Sequence, residues 1–259
     1  MSHDDSGQHD TDLDWIDRLR LAFGFLTRLP VGGRGVSAPL AQAAALFPIV
    51  GAVVGLAAGV VYVIAHGLGT GPWLAACMAV GAAVLITGAL HEDGLADVAD
   101  GFGGGGDRES KLDIMRDSRI GSYGVIALVL VIAARIGALA GIGNPYEVLA
   151  TLIAAGAVSR AVLVVAMRMM PRARTDGLGA DAGTPGFEAT IMALGIAALL
   201  TLVLLLPWTW VLALLLATAA AAVVIYVAGR QIGGQTGDVL GAMQQATEIA
   251  VLVAVAMVT

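Results

Sequence analysis

Seven stretches of mostly apolar residues, each near the roughly 20 that a helix needs to cross a bilayer, run through this chain of 259 residues. They are Leu40–Ala65, Trp73–Leu90, Gly124–Gly143, Val148–Met170, Ala189–Leu206, Val211–Ala228 and Val239–Val258. Lipid offers the backbone no hydrogen bonds, so segments of this length must satisfy their own N–H and C=O groups as helices. Composition agrees. Of all residues 58% are apolar and 13% charged, with a mean hydropathy of +0.86, whereas a soluble domain carries about 25% charged residues. The expected fold is all-α, a polytopic transmembrane bundle of about seven spans. The fifth and sixth spans are joined only by Pro207, Trp208, Thr209 and Trp210, read as a tight turn. Pro48, Gly51, Gly55 and Gly59 in the first span predict close helix contacts through small residues.

The basic residues test this count. Arg18, Arg20, Arg28 and Arg34 precede the first span, and Arg108, Lys111, Arg116 and Arg119 lie between the second and third. Arg168, Arg172 and Arg174 flank the fourth-to-fifth connection, and Arg230 the sixth-to-seventh. The alternate connections contain no Lys or Arg, so twelve of the fourteen fall on one side. The positive-inside rule makes that side cytoplasmic. Trp73, Tyr146, Trp208 and Trp210 cluster toward the opposite face, as an interfacial aromatic belt does.

Before the first span, Trp15, Leu19, Ala22, Phe23 and Leu26 recur at helical spacing among charged residues. This predicts an amphipathic helix in the cytoplasmic interface. Residues 1–12 read as a disordered acidic tail with no secretory signal, and residues 13–259 as a single integral membrane catalytic domain. Cys77 stands alone, which excludes an intrachain disulfide and a cysteine metal cage. A net charge of -6 gives a nucleic-acid partner no electrostatic support.

The segment from His91 to Gly124 breaks the apolar pattern, with Glu92, Asp93, Asp97, Asp100, Asp107, Glu109, Asp113 and Asp117. If the second span continues as a helix, Asp93, Asp97 and Asp100 stand at i, i+4 and i+7, inside a wedge of roughly 60°. Asp113 and Asp117 form a second i, i+4 pair on the helix expected after the Gly103–Gly106 run. Like charges so spaced destabilise a helix, and a hard divalent cation would reverse that sign. The plain alternative is a solvated acidic loop with Asp107 capping the following helix. The glycine run is either a flexible connector or a nest of amides facing a phosphate.

Two further features face the same compartment. Arg168, Arg172 and Arg174 lead into Asp176, Gly177, Leu178 and Gly179, a turn suited to an anionic group and equally accounted for by topology. Thr236, Gly237 and Asp238 open the last span, and Gln244, Gln245 and Glu248 follow on it. Polar groups inside a span mark a site or an interhelical network. Arg135 and Arg160 also lie within spans, and Arg160 is expected to pair with Glu248 or Asp238.

These motifs point to a family. Glu92-Asp93-Gly94-x-Ala96-Asp97-x-x-Asp100-Gly101, then Ile114-Met115-Arg116-Asp117-Ser118-Arg119-x-Gly121-x-x-Gly124, closely resembles cobalamin synthase, adenosylcobinamide-GDP ribazoletransferase. Phe25-Leu26-Thr27-Arg28-Leu29-Pro30-Val31, Phe47-Pro48-x-Val50-Gly51, Met167-Arg168 through Gly177-Leu178-Gly179, and Gly233-Gly234-x-Thr236-Gly237-Asp238-x-x-Gly241-Ala242 fit the same family, in order from about Leu21 to the C-terminus. The resemblance implies a membrane-bound, Mg²⁺-dependent enzyme late in cobalamin biosynthesis. It implies phosphoryl transfer from adenosylcobinamide-GDP to the 5′-hydroxyl of α-ribazole, or displacement by α-ribazole 5′-phosphate, with release of GMP. The aspartate pattern is also similar to the CDP-alcohol phosphotransferases, but the two pairs stand closer and the Ala-Arg after the first is absent.

On this reading Asp93, Asp97, Asp100 and Asp117 hold one or two Mg²⁺ ions, with Mn²⁺ as a substitute, and Asp117 or Asp113 takes the acceptor proton. The expected substrate-binding set is Glu92, Arg116, Arg119, Arg172, Arg174, Gly177, Thr236, Asp238, Gln244, Gln245 and Glu248. Membrane lipid surrounds the chain, and a homo-oligomer is compatible with it. Two rivals stand beside this reading: a CDP-alcohol phosphotransferase of phospholipid synthesis, and a cation-coupled transporter. Coupling sites usually lie near the bilayer midplane, which disfavours the transporter.

Overall fold

The computed structural model describes residues 13–31, 38–174 and 182–259. The expected tail at residues 1–12, Arg34 and the turn at Asp176, Gly177, Leu178 and Gly179 lie outside these residues. Among the described residues the secondary structure is helical: α1 (Trp15–Leu26), a 3-10 turn (Leu40–Leu46), α2 (Phe47–Gly67), α3 (Gly71–Thr87), α4 (Leu90–Gly104), α5 (Arg108–Ile114), α6 (Ser122–Ile142), α7 (Pro145–Met169), α8 (Phe187–Leu204), α9 (Pro207–Ile232) and α10 (Gly237–Ala256). Among the described residues six segments are long and apolar enough to cross a membrane alone: the 3-10 turn with α2, then α6, α7, α8, α9 and α10. The seventh expected span is α3, which meets α4 at a 91° bend.

That bend corrects the expectation of one continuous second span. Gly88 and Ala89 both take left-handed conformations, with φ of 68° and 60°. Glycine adopts this region freely, and an alanine there is held by its surroundings. The Ala89 N–H donates to Val84 O at 2.9 Å, and Arg28, just past α1, lies across the hinge where a Gly88 Cβ would meet its Nε. The acidic segment therefore leaves the direction of the span. The polar α4 runs at right angles to α3 and is not itself one of the helices apolar enough to cross a membrane alone.

Helices α2, α7 and α10 form the centre, and α6, α8 and α9 turn most of their surface outward. The α2–α7 crossing rests on glycine, as the small-residue pattern predicts. A Cβ on Gly51, Gly55 or Gly59 would run into Gly156, Leu152 or Leu149 of α7. Close backbone approach replaces the hydrophobic effect as the source of helix association in lipid. Outward residues such as Leu130, Leu199, Val203 and Leu215 are apolar and exposed. Trp73, Tyr146 and Trp208 are exposed at the starts of α3, α7 and α9, beside the connections that carry no basic residue.

Two local expectations change. Pro207–Trp210 is the first turn of α9 rather than a connecting turn, because proline suits the opening helical positions. Only Leu205 and Leu206 join α8 to α9. The amphipathic α1 is docked on the bundle as well as polar on one side. Ala22 and Leu26 are buried against the 3-10 turn and α2, while Trp15 and Ile16 remain exposed.

Candidate active site at the contact of α4 and α10

Two glycine-bearing motifs distant in sequence meet here. A Cβ on Gly94 would stand 2.9 Å from Asp238 Cα, and one on Gly241 would stand 3.2 Å from His91 O. The approach sets the face of α4 that carries Asp93 and Asp97 beside the first turn of α10, which carries Asp238. The three aspartates act on one another electrostatically. The Asp97 carboxyl is pushed up to about 7, by burial first and then by the negative charges of Asp238, Asp93 and Asp100.

The chain segment after α7, bridged to the one before α10, delivers a cation to the same place. Arg172 and Gln235 form a short parallel bridge, with Ala173 N donating to Gln235 O at 2.9 Å and Gln235 N to Pro171 O at 2.8 Å. Arg108, to which the sequence reading assigned no role, clamps this segment by donating to Ile232 O at 2.9 Å and to Ala173 O. Arg174 then donates to Asp238 Oδ2 at 3.1 Å, and the Thr236 hydroxyl donates to the same oxygen at 3.2 Å. Thr236 also caps α10, accepting from Val239 N. A cavity of about 280 Å³ opens beside Asp93, Asp238 and Arg174, walled by residues of α1, the 3-10 turn, α2, α4, α7 and α10.

The remaining acidic residues do other things. Asp100 is buried and accepts from Gly121 N at 2.7 Å and Gly124 N at 2.9 Å, capping the start of α6. A Cβ on Gly121 or Gly124 would strike its carboxylate, which explains both glycines. The expected Asp113–Asp117 helix pair is not formed, because α5 ends at Ile114 and Asp117 lies in the following turn. Asp113 pairs with Arg116 at 3.3 Å, and Asp117 with Arg119 at 3.0 Å. The Arg119 hydrogen bonds hold the Asp117 carboxyl down at about 2. Asp107 caps α5 by accepting from Ser110 N, as the plain alternative predicted. The glycine run is neither connector nor nest throughout: Gly103 and Gly104 are helical, and Gly103 and Gly105 give room to Tyr123 and Lys111.

Four residues of the expected substrate-binding set lie in the core instead. Arg135 donates to Glu92 at 2.9 Å and to Glu248 at 2.6 Å, and Arg160 donates to Glu248 at 2.7 Å. Gln245 donates to Glu92 at 3.0 Å and to Gln244, which donates to Glu248. All six side chains are buried. The expected Arg160–Glu248 pair is present, whereas Asp238 pairs with Arg174. This network ties the first turn of α4 to α6, α7 and α10, and so holds Asp93 beside Asp238.

A divalent cation fits the chemistry of Asp93, Asp97 and Asp238: hard oxygen donors, crowded negative charge and a carboxyl whose ionisation is suppressed by its neighbours. Among the described residues no three acidic, His or Cys side chains stand together as a ready metal cage. Mg²⁺ is commonly bound by one or two carboxylates together with substrate phosphates, so a complete protein cage is not required.

The sequence model of cobalamin-5-phosphate synthase matches residues 18–256. The chain belongs to the cobalamin-5-phosphate synthase family. Relatives named adenosylcobinamide-GDP ribazoletransferase agree along nearly the whole length. The Bradyrhizobium diazoefficiens protein is 48% identical over 243 residues, covering 93% of this chain and 94% of its own. Those of Mesorhizobium japonicum and Azorhizobium caulinodans are 45% and 44% identical, covering 92% and 90% of this chain and 92% and 93% of their own. No solved structure matches. Like the other members of the cobalamin-5-phosphate synthase family, the chain is an enzyme, a transferase of cobalamin biosynthesis with transmembrane helices.

Proposed function

We propose that this enzyme transfers the adenosylcobinamide phosphate group of adenosylcobinamide-GDP to α-ribazole or its 5′-phosphate, releasing GMP in a Mg²⁺-dependent reaction at the cytoplasmic face of a bacterial inner membrane. The observation that carries the reading is the meeting of Asp93, Asp238 and Arg174 at one cavity, with Asp97 close enough to feel the charges of Asp93 and Asp238. The orientation is supported by the positive-inside rule, since Arg174 at the cavity belongs to one of the connections that carry the basic residues.

Asp93 and Asp238 would hold Mg²⁺, which when bound would supply positive charge to the pyrophosphate. Arg174, beside Asp238, is placed to hold a phosphate oxygen. A hydroxyl oxygen of the acceptor attacks the phosphorus attached to cobinamide. The bond from that phosphorus to the bridging oxygen breaks, and the oxygen leaves as part of GMP. The family is described as making cobalamin-5-phosphate, a product that keeps a 5-phosphate ester, so the nucleophile is a ring hydroxyl of the ribose rather than its 5′-hydroxyl.

Asp97 is assigned as the acceptor of that proton. Its carboxyl titrates near neutrality, where a general base works best. Asp117, held low by Arg119, is a weaker base, and Asp113 is ion-paired with Arg116 away from the cavity. Their partners Arg119 and Arg116 lie outside the lining of the cavity, so the phosphate role falls to Arg174.

Nucleotide release tests this reading. Purified protein in liposomes, given adenosylcobinamide-GDP and α-ribazole, should release GMP with Mg²⁺ and none after chelation. Turnover that persists at full rate without divalent cation would remove Mg²⁺ from the mechanism, and absence of GMP from folded, Mg²⁺-loaded protein would overturn the reaction.

A further inference from the structure

The cavity beside Asp93, Asp238 and Arg174 has apolar walls and one charged end. Leu26, Phe47, Leu163 and Met167, contributed by α1, α2 and α7, line it and are buried. Charge is confined to the end where α4 meets α10. His91 also lines the cavity, is buried, and has an Nε2 with no hydrogen-bond partner. A buried polar atom of this kind costs stability until something pairs with it.

We infer that this cavity is the subsite for the aromatic base of the acceptor, holding the benzimidazole ring between α1, α2 and α7 with the ribose toward Asp97 and Arg174. The inference rests on the reaction proposed above. Size and polarity decide which portion of the two substrates belongs here. Ligand pockets run from about 300 to 1,000 Å³, and this one, about 280 Å³, is at the small end. The corrin ring of the donor, with its amide side chains and axial group, is several times too large. Guanine would fit by size, but its edge carries donors and acceptors that apolar walls leave unpaired, at about 1–3 kcal/mol for each group. The dimethylbenzimidazole of α-ribazole is two fused rings with two methyl groups and, once joined to ribose, a single free ring nitrogen, which His91 Nε2 can pair. An acyl chain would match the walls but leave His91 and the charged end without partners.

The same assignment gives α1 a task that a membrane-surface anchor does not need. Leu26 closes the cavity, so docking of α1 on the bundle builds one wall of the subsite.

The test is equilibrium binding of α-ribazole to the purified protein in nanodiscs, without donor or divalent cation. Saturable binding should be displaced by free 5,6-dimethylbenzimidazole, and not by GMP or a short-chain phosphatidic acid. Leu163→Trp, which fills the cavity, should weaken binding about tenfold or more, while the KM for adenosylcobinamide-GDP stays within about twofold of wild type. Displacement by GMP or lipid but not by the base would overturn the assignment, and so would unchanged α-ribazole affinity in a folded Leu163→Trp protein. Should that variant not fold, competition on the wild-type protein decides alone. Base-specific binding in a protein that releases no GMP would sink the proposed reaction and leave the subsite standing. GMP release without base-specific binding would do the reverse.

Discussion

Gly94 lies against Asp238 with no space for a side chain between them: a Cβ on Gly94 would stand 2.9 Å from Asp238 Cα and 2.9 Å from its O. Backbone atoms cannot swing aside as a side-chain tip can. Gly94→Ala is therefore expected to push α4 away from α10 and separate Asp93 from Asp238. Turnover should fall by about a hundredfold, the scale of a 1 Å misplacement of reacting groups. Helix content by circular dichroism should stay unchanged. Near-normal turnover would show that this contact does not set the site.

Asp97 and Asp100 sit three residues apart on α4 and should fail differently. Asp97→Asn should abolish GMP release while leaving folding and thermal stability near wild type. Asp100→Asn removes one acceptor from the two α6 amides and should lower stability by about 1–2 kcal/mol, the usual worth of a cap. Thermal melts of both variants in detergent separate the roles. A stable Asp100→Asn protein without turnover would return Asp100 to the catalytic set.

The raised Asp97 carboxyl predicts a pH profile. Below about 7 the group is protonated and cannot accept the acceptor's proton, so kcat should fall as pH drops, approaching tenfold per unit. Bound Mg²⁺ removes part of the neighbouring negative charge and should draw the midpoint downward. For stability the sign is opposite. Because the folded state holds this proton more tightly than the unfolded state, metal-free protein should lose stability as pH rises from about 4 through about 7. A kcat that is flat from pH 5 to about 8 would contradict the assignment.

Arg135 joins Glu92 and Glu248 across the centre of the bundle. Arg135→Met leaves both carboxylates buried without that partner, a change that typically costs about 3–5 kcal/mol. Folded yield and melting temperature should fall sharply. Adding Glu92→Gln should recover part of the loss, since one of the two stranded charges is then gone. No recovery in the double variant would mean that the network does not act through charge balance.

The helix-crossing glycines can be told apart from those in open space. Gly51→Val should prevent the α2–α7 approach, because even its Cβ would stand 2.0 Å from Gly156 O. Gly81→Ala meets nothing within 4 Å and should be neutral, or stabilising by up to about 1 kcal/mol through helix propensity. Folded yields after detergent extraction compare the two directly.

Much of this protein is legible along the chain. Span number and the one-sided distribution of basic residues follow from local hydropathy and charge, because lipid enforces both residue by residue. The carboxylate face of α4 follows from helical periodicity alone, and the glycines of the first span announce a close crossing. Roles within the acidic segment do not follow. Asp93, Asp97 and Asp100 look alike in sequence, yet one lies beside Asp238, one is driven toward neutrality and one caps α6. Nothing local marks the Gly88–Ala89 bend as a turn of 91°, nor Arg108 as the clamp on residue 173. Glu92, Gln244, Gln245 and Glu248 carry the polar atoms of a binding set, and only their mutual pairing with Arg135 and Arg160 makes them core. The sequence by itself determined that the chain is a membrane helical bundle with an acidic segment among its basic connections, since those properties are sums over neighbouring residues. Which carboxylates share that site was decided by tertiary structure, because it depends on helices some 140 residues apart meeting where Gly94 and Gly241 let their backbones touch.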